Sequence, residues 1–240
     1  MGLPVIQGVI RRRILVNFRV DPRVMQVQLP SRFRPKLQRV HAIAGICLIR
    51  LEEVRPRLVP QFLGLSSENA AHRIAVRWQT EGTEKEGVFI PRRDTGSAMN
   101  HLAGGRLFPG EHHRARFTVR ETSESIDLSM QSNDREVSVR VRGRLGGPLP
   151  GSSCFSSLAE ASGFFEPGSL GYSVTSEAGR LDGIELRTHG WRVEPLQVEE
   201  VHSSYFSDQA RFPKGSVEFD CALVMRNVAH EWHSAEDLYV

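Results

Sequence analysis

The sequence predicts a mainly β fold: an antiparallel β-barrel or a sandwich, with two or three short helices. Two observations carry this expectation. Apolar and polar side chains alternate with a period of two in run after run, as in Ile126, Leu128 and Met130 against Asp127, Ser129 and Gln131. That is the signature of strands with one buried face. The runs recur at a spacing of about ten residues with turn-forming residues between them, as in all-β architectures.

Taken in order, Ile14, Val16 and Phe18 share a face in the first run. Asp21 offers a helix N-cap with Pro22 at the first helical position, and Pro30 ends any helix begun there. His41 to Leu51, HAIAGICLIRL, is apolar on both faces and reads as a central strand. After the loop VRPRLVPQFLG, Ile74, Val76 and Trp78 share one face, while Arg73, Ala75 and Arg77 take the other. The same parity places Glu68 and His72 with the apolar set. Gln79 to Glu86 reads as a polar hairpin turn. In VFIPRRD, Val88 and Ile90 share a face with Arg92 and Asp94 unless Pro91 introduces a bulge. One or two helical turns are expected near 97–103. A glycine-rich turn then delivers His112 and His113 to a strand. There His113 shares the face of Ala115, Phe117 and Val119, and His112 that of Arg114 and Arg116. A hairpin turning at Ser132-Asn133-Asp134 brings in Val137, Val139 and Val141, and a helix follows over 156–165. Ile184 with Leu186, Trp191 with Val193, and the run from Val217 to Met225 complete about ten or eleven strands. No compositional break or repeat divides the chain, so residues 1–240 are expected to form one domain.

Composition narrows the class. The 240 residues are 40% hydrophobic and 25% charged, as in ordinary globular proteins. Basic charge is almost all arginine, since Lys36, Lys85 and Lys214 are the only lysines. A net charge of +3 permits polyanion binding, but arginines at the outward positions of alternating strands read as a solvated face. No nucleic-acid partner is expected. The three cysteines, Cys47, Cys154 and Cys221, contain no CxxC pair, and Cys47 and Cys221 read as small buried hydrophobes. The N-terminus lacks the order of a signal peptide, and no apolar run is long enough to span a bilayer. A reduced, cytoplasmic protein with no membrane partner is expected.

In a closed barrel the inward faces of neighbouring strands converge, so residues of like parity meet there. On that ground Glu68 and His113 are the candidate acid–base pair, with His72, Arg92 and Asp94 as candidate ligand-binding residues, to which the family resemblance of the block GGRLFPGEHHRARF adds Arg106 and His112. A glutamate on an apolar face should have a raised pKa, and Arg106 has the fork that grips a carboxylate. Equally, His113 reads as a packed histidine bonded to a backbone carbonyl, and Glu68 as the partner of an arginine. Adjacent histidines in a strand point to opposite faces, and His230-Glu-Trp-His233 lacks the HExxH spacing, so no metal site is expected. No GxSxG, GxGxxG or P-loop is present, and no cofactor is expected.

Together SENAAHRIAVRW, EGVFIPRRD and GGRLFPGEHHRARF resemble the uncharacterised YqjF-like family of the acetoacetate-decarboxylase-like superfamily. The resemblance implies a curved antiparallel barrel with a small-molecule pocket, and Glu68 resembles the pocket glutamate. True acetoacetate decarboxylases carry a loop of the form GRExxGxPKKLA, whose first lysine forms a Schiff base. Here Glu111 stands for the proline, His112 for that lysine and His113 for the second. Imidazole cannot form the protonated imine, and none of the three lysines sits in an apolar setting that would lower its pKa. The expected function is binding of a small carboxylate or carbonyl ligand. The alternative is a lysine-independent lyase or hydrolase using Glu68 and His113. A homo-oligomer is compatible with either.

Overall fold

The computed structural model describes residues 5–98 and 110–240. In chain order these contain β1 (Ile6–Val20), α1 (Pro22–Val27), β2 (Arg34–Pro35), β3 (Leu37–Gln38), β4 (His41–Pro56), β5 (Leu65–Thr80) and β6 (Thr83–Thr95). There follow β7 (His112–Glu121), β8 (Ser125–Ser132), β9 (Ser138–Leu145), α2 (Leu158–Phe165), β10 (Leu170–Val174) and β11 (Arg180–Thr188). The last elements are β12 (Glu194–Ser203), α3 (Ser204–Ser207), β13 (Val217–Ser234) and β14 (Leu238–Tyr239).

The helices form where local chemistry dictates. Asp21 caps α1, its carboxylate accepting from the Arg23 N–H at 2.7 Å, and Met25 is the side chain α1 buries. Ser157 caps α2, while Glu160 reaches back to accept from the Ser156 N–H, a variant of the capping box. The hairpin between β5 and β6 is tighter than the polar stretch suggests. Thr80 pairs with Thr83, and Glu81 and Gly82 both take positive φ, the geometry of a type I′ turn. The turn expected near 97–103 lies mostly outside the described residues. The one-turn helix α3 was not foreshadowed by any periodicity.

All fourteen strands belong to one sheet, which closes on itself twice. One closed ring runs β6-β7-β8-β9-β12-β13-β1-β4-β5 and returns to β6. A second runs β6-β10-β11-β13-β1-β4-β5 and also returns to β6. The two rings share β13, β1, β4, β5 and β6 as a common wall. This is why HAIAGICLIRL is apolar on both faces. Ile46 and Leu48 pack into the first ring with Ile14, Val16 and Val224, whereas Cys47 and Ile49 pack into the second with Leu15, Leu223 and α2. The sheet is mixed rather than purely antiparallel, because β6 pairs in parallel with both β7 and β10. Gly87 lets β10 come close, since a Cβ there would lie 2.3 Å from the Leu170 carbonyl oxygen. Among the described residues no helix is long and apolar enough to cross a membrane.

The second ring corrects the reading of the arginines. Arg12 and Arg73 are buried, on opposite faces of the common wall, rather than forming part of a solvated surface.

Candidate anion-binding site

The site is built on the wall's second-ring face. Three consecutive wall strands, β1, β4 and β5, present Arg13, Cys47 and Arg73 in the same direction. On β6, a bulge between Phe89 and Arg92 resets the alternation. Before it, Phe89 pairs with Ile74 and Val88 with Ala75. After it, Arg92 pairs with His72 and Arg93 with Ala71. Arg93 therefore joins Val88 and Ile90 on the second-ring face. The parallel pairing of β6 and β7 sets Arg93 beside His112 and Asp94 beside His113.

These residues surround a cavity of about 90 Å³, lined on its other sides by Ile49, Ile184, Leu186 and Trp232. Arg93, His112, Leu186 and Trp232 are only half-buried, which gives it a mouth. The space suits on the order of six water-sized groups. Arg13 Nε donates to Cys47 Sγ at 3.2 Å, Arg73 Nη2 to Asn17 Oδ1 at 2.5 Å, and Arg93 Nε to Ser173 Oγ at 2.9 Å. None of these three guanidinium groups forms an ion pair with a carboxylate among the described residues. Arg73 is 5% exposed, its Nε has no hydrogen-bond partner among the described residues, and neither has the indole N–H of Trp232. Burial lowers the pKa of both Arg73 and Arg93 to about 10, against a smaller upward pull of Asp182 on Arg93, yet both remain charged at neutral pH. Concentrated positive charge with no direct ion pair in a largely apolar cavity favours an anion.

The residues singled out from sequence occupy other ground. Glu68, His72, Arg92, Asp94 and His113 do share one face, but it is the first-ring face; the interior of that ring is packed core, and only Arg92 and His113 of the five reach a separate open cavity of about 260 Å³ beside Tyr205 and Arg211. The expectation that Glu68 and His113 line one pocket fails. Glu68 accepts from Arg12 at 2.5 Å, and Arg12 also binds Glu121. Burial raises the Glu68 pKa against the pull of Arg12. His113 Nδ1 lies 3.3 Å from Asp134, in a cluster where Arg92 binds Asp94, Asp134 and Glu136. Burial also raises the Asp94 pKa, opposed by Arg92. Asp94 also borders the second-ring cavity, but its carboxylate is held by Arg92. His72 is fully buried against Tyr205, with ring centroids 4.6 Å apart, and burial lowers its pKa to about 3. The pairing of Arg92 and Asp94 with Val88 and Ile90 is overturned by the bulge beside Pro91. The expectation that His113 has the better claim on the pocket than His112 is reversed. His112 lines the cavity, with Nδ1 donating to the Gly110 carbonyl at 3.1 Å. Arg106 lies outside the described residues. No group of three His, Cys, Asp or Glu side chains fit to hold a metal occurs among the described residues.

Sequence reasoning missed Arg13, Cys47, Arg73 and Arg93. The signal was present. A strand apolar on both faces needs cover on both, so the second faces of its neighbours β1 and β5 could not all be solvent-exposed.

Comparison with solved structures shows the acetoacetate-decarboxylase-like fold. Acetoacetate decarboxylase from Legionella pneumophila superposes with a TM-score of 0.62 at 12% identity, over 99% of this chain and 88% of that one. An acetoacetate decarboxylase-like enzyme from Sphingomonas wittichii gives 0.61 at 10% identity, over 99% and 93%. The enduracididine biosynthesis enzyme MppR complexed with pyruvate gives 0.58 at 10%, over 100% and 91%. No curated protein matches significantly. The family model DUF2071, described as an uncharacterized conserved protein, matches residues 9–221.

Proposed function

Because this chain belongs to the DUF2071 family, whose description gives no activity, we propose its function from the cavity: the protein binds a small carboxylate in the second ring. The observation that carries this reading is the convergence of Arg13, Arg73 and Arg93, none of them ion-paired among the described residues, on one largely apolar cavity whose bordering carboxylate, Asp94, is held by Arg92. Guanidinium groups match carboxylate geometry, and in a water-poor cavity each such bond is strong. Ile49, Ile184 and Trp232 supply the apolar surface for a short carbon chain. A pyruvate complex of MppR, on the same fold, supports an oxo acid as the ligand class.

The reading involves no Schiff base. None of the three lysines lines the cavity; Lys36, against expectation, is buried on the Phe164 ring, but it is held by Glu86 at 3.0 Å and by the Phe164 carbonyl. His112 stands at the cavity where the resemblance puts the lysine. The finer placement among YqjF-like proteins rests on the three sequence blocks and is part of this proposal.

Thermal denaturation with pyruvate, acetoacetate or their neutral amides tests it. A ligand at a hundred times its Kd adds about 2.7 kcal/mol, which for a chain of this size raises Tm by about 5–10 °C. The acids should give that shift and the amides little or none. Equal shifts from acid and amide, or none from any small carboxylate, would refute the reading.

A further inference from the structure

We propose that Cys47 is a nucleophilic thiol facing the bound carboxylate, and that it adds reversibly to the carbonyl carbon of a 2-oxo acid held by the arginines. The proposal rests on the carboxylate-binding reading and deepens it. Cys47 lies on the central strand β4, 7% exposed, with its side chain on the cavity face. The Arg13 guanidinium donates to its sulfur, while Arg73 and Arg93 line the same space. Reactive cysteines occur in electropositive, partly open pockets, whereas buried structural ones are inert. Arg73, nineteen-twentieths buried, bonded to Asn17 and stacked on Phe165 but with its Nε unpartnered among the described residues, points to an anion in this cavity.

The other two cysteines supply the contrast. All three cysteines are buried, but Cys154 and Cys221 lie beside the Asp220 carboxylate, which together with burial raises both thiol pKa values, that of Cys154 to about 12. Neither lines the cavity.

The step balances without an oxidant or leaving group. A sulfur–carbon bond forms, the carbonyl π pair moves to oxygen, and the thiol proton ends on that oxygen as a hemithioketal. The arginines bind the carboxylate and stabilise the negative charge that develops on oxygen.

Two alkylating probes test this on the folded full chain: iodoacetate, which carries a carboxylate, and neutral iodoacetamide. Mass-spectrometric mapping should find Cys47 alkylated well ahead of Cys154 and Cys221. Iodoacetate should react there at least about tenfold faster than iodoacetamide, the low end of what a cleft of one charge sign gives an oppositely charged reactant. Pyruvate should slow both, and C47S should abolish the fast phase. If Cys47 resists both reagents in the folded chain but reacts once the chain is denatured, the nucleophile is wrong, and thermal shifts by carboxylates would show the binding reading surviving alone. If iodoacetamide labels Cys47 and iodoacetate has no advantage, the arginines do not recruit carboxylates and both readings fall. Labelling of Cys154 or Cys221 at the same rate overturns the assignment of Cys47.

Discussion

His72→Leu is expected to stabilise the protein, and to do so more strongly in acid. The wild-type ring is fully buried with no hydrogen-bond partner for either nitrogen among the described residues. Burial, with Arg92 and Arg211 nearby, lowers its pKa from 6.5 to about 3. Below its ordinary pKa the unfolded chain takes up a proton that the folded chain refuses until near its own depressed value. Stability from this site is therefore lost as pH falls through that window. Between about pH 7.5 and about pH 5 the loss is on the order of 2 kcal/mol at 1.36 kcal/mol per pKa unit. His230, lowered to about 4 by burial, acts in the same direction, while the raised pKa values of Glu68 and Asp94 act in the opposite one. All three remain in the variant, so the difference from wild type isolates His72. Urea denaturation of both proteins at the two pH values should show the gap widening. A gap that stays constant would mean that the folded state protonates His72 normally.

Arg73→Met should separate binding from stability. Removing a buried charge-assisted donor costs about 1.5–3 kcal/mol, so carboxylate affinity should fall about tenfold or more. The fold should survive. Methionine fills the volume of the arginine stem, and loss of a buried guanidinium without a carboxylate offsets the lost bond to Asn17. Net stability should move by about 1 kcal/mol or less, because the two effects oppose each other. Calorimetric titration with pyruvate, paired with urea denaturation, checks both halves. Undiminished affinity would show that Arg73 has a purely structural role.

Local chemistry made the elements legible. Alternation located the long strands, and Asp21-Pro22 and Ser157 marked the starts of two helices. Face assignments within β5 and β7 were also readable, since Ile74 and Ala115 both enter the first-ring core with their parity mates. Two things were not readable. The bulge beside Pro91 adds a residue against one partner, so Arg92 and Arg93 exchange the faces that strict alternation assigns them. The second closure depends on β10 pairing with β6 and β11 with β13, contacts distant in sequence with no local signature. Without that closure, Arg13, Arg73 and Arg93 read as surface charges, and the only interior in view is the first ring. The polar residues facing it then read as a site, whereas most are paired: Glu68 with Arg12, His113 with Asp134, and Arg92 with Asp94.

A crystal structure of the protein soaked with pyruvate tests the account most directly. The ligand's carboxylate should lie in the second-ring cavity, within hydrogen-bond distance of at least two of Arg13, Arg73 and Arg93, with its carbonyl carbon towards Cys47. Ligand density beside His113 and Asp134 instead, with none among the three arginines, would contradict it.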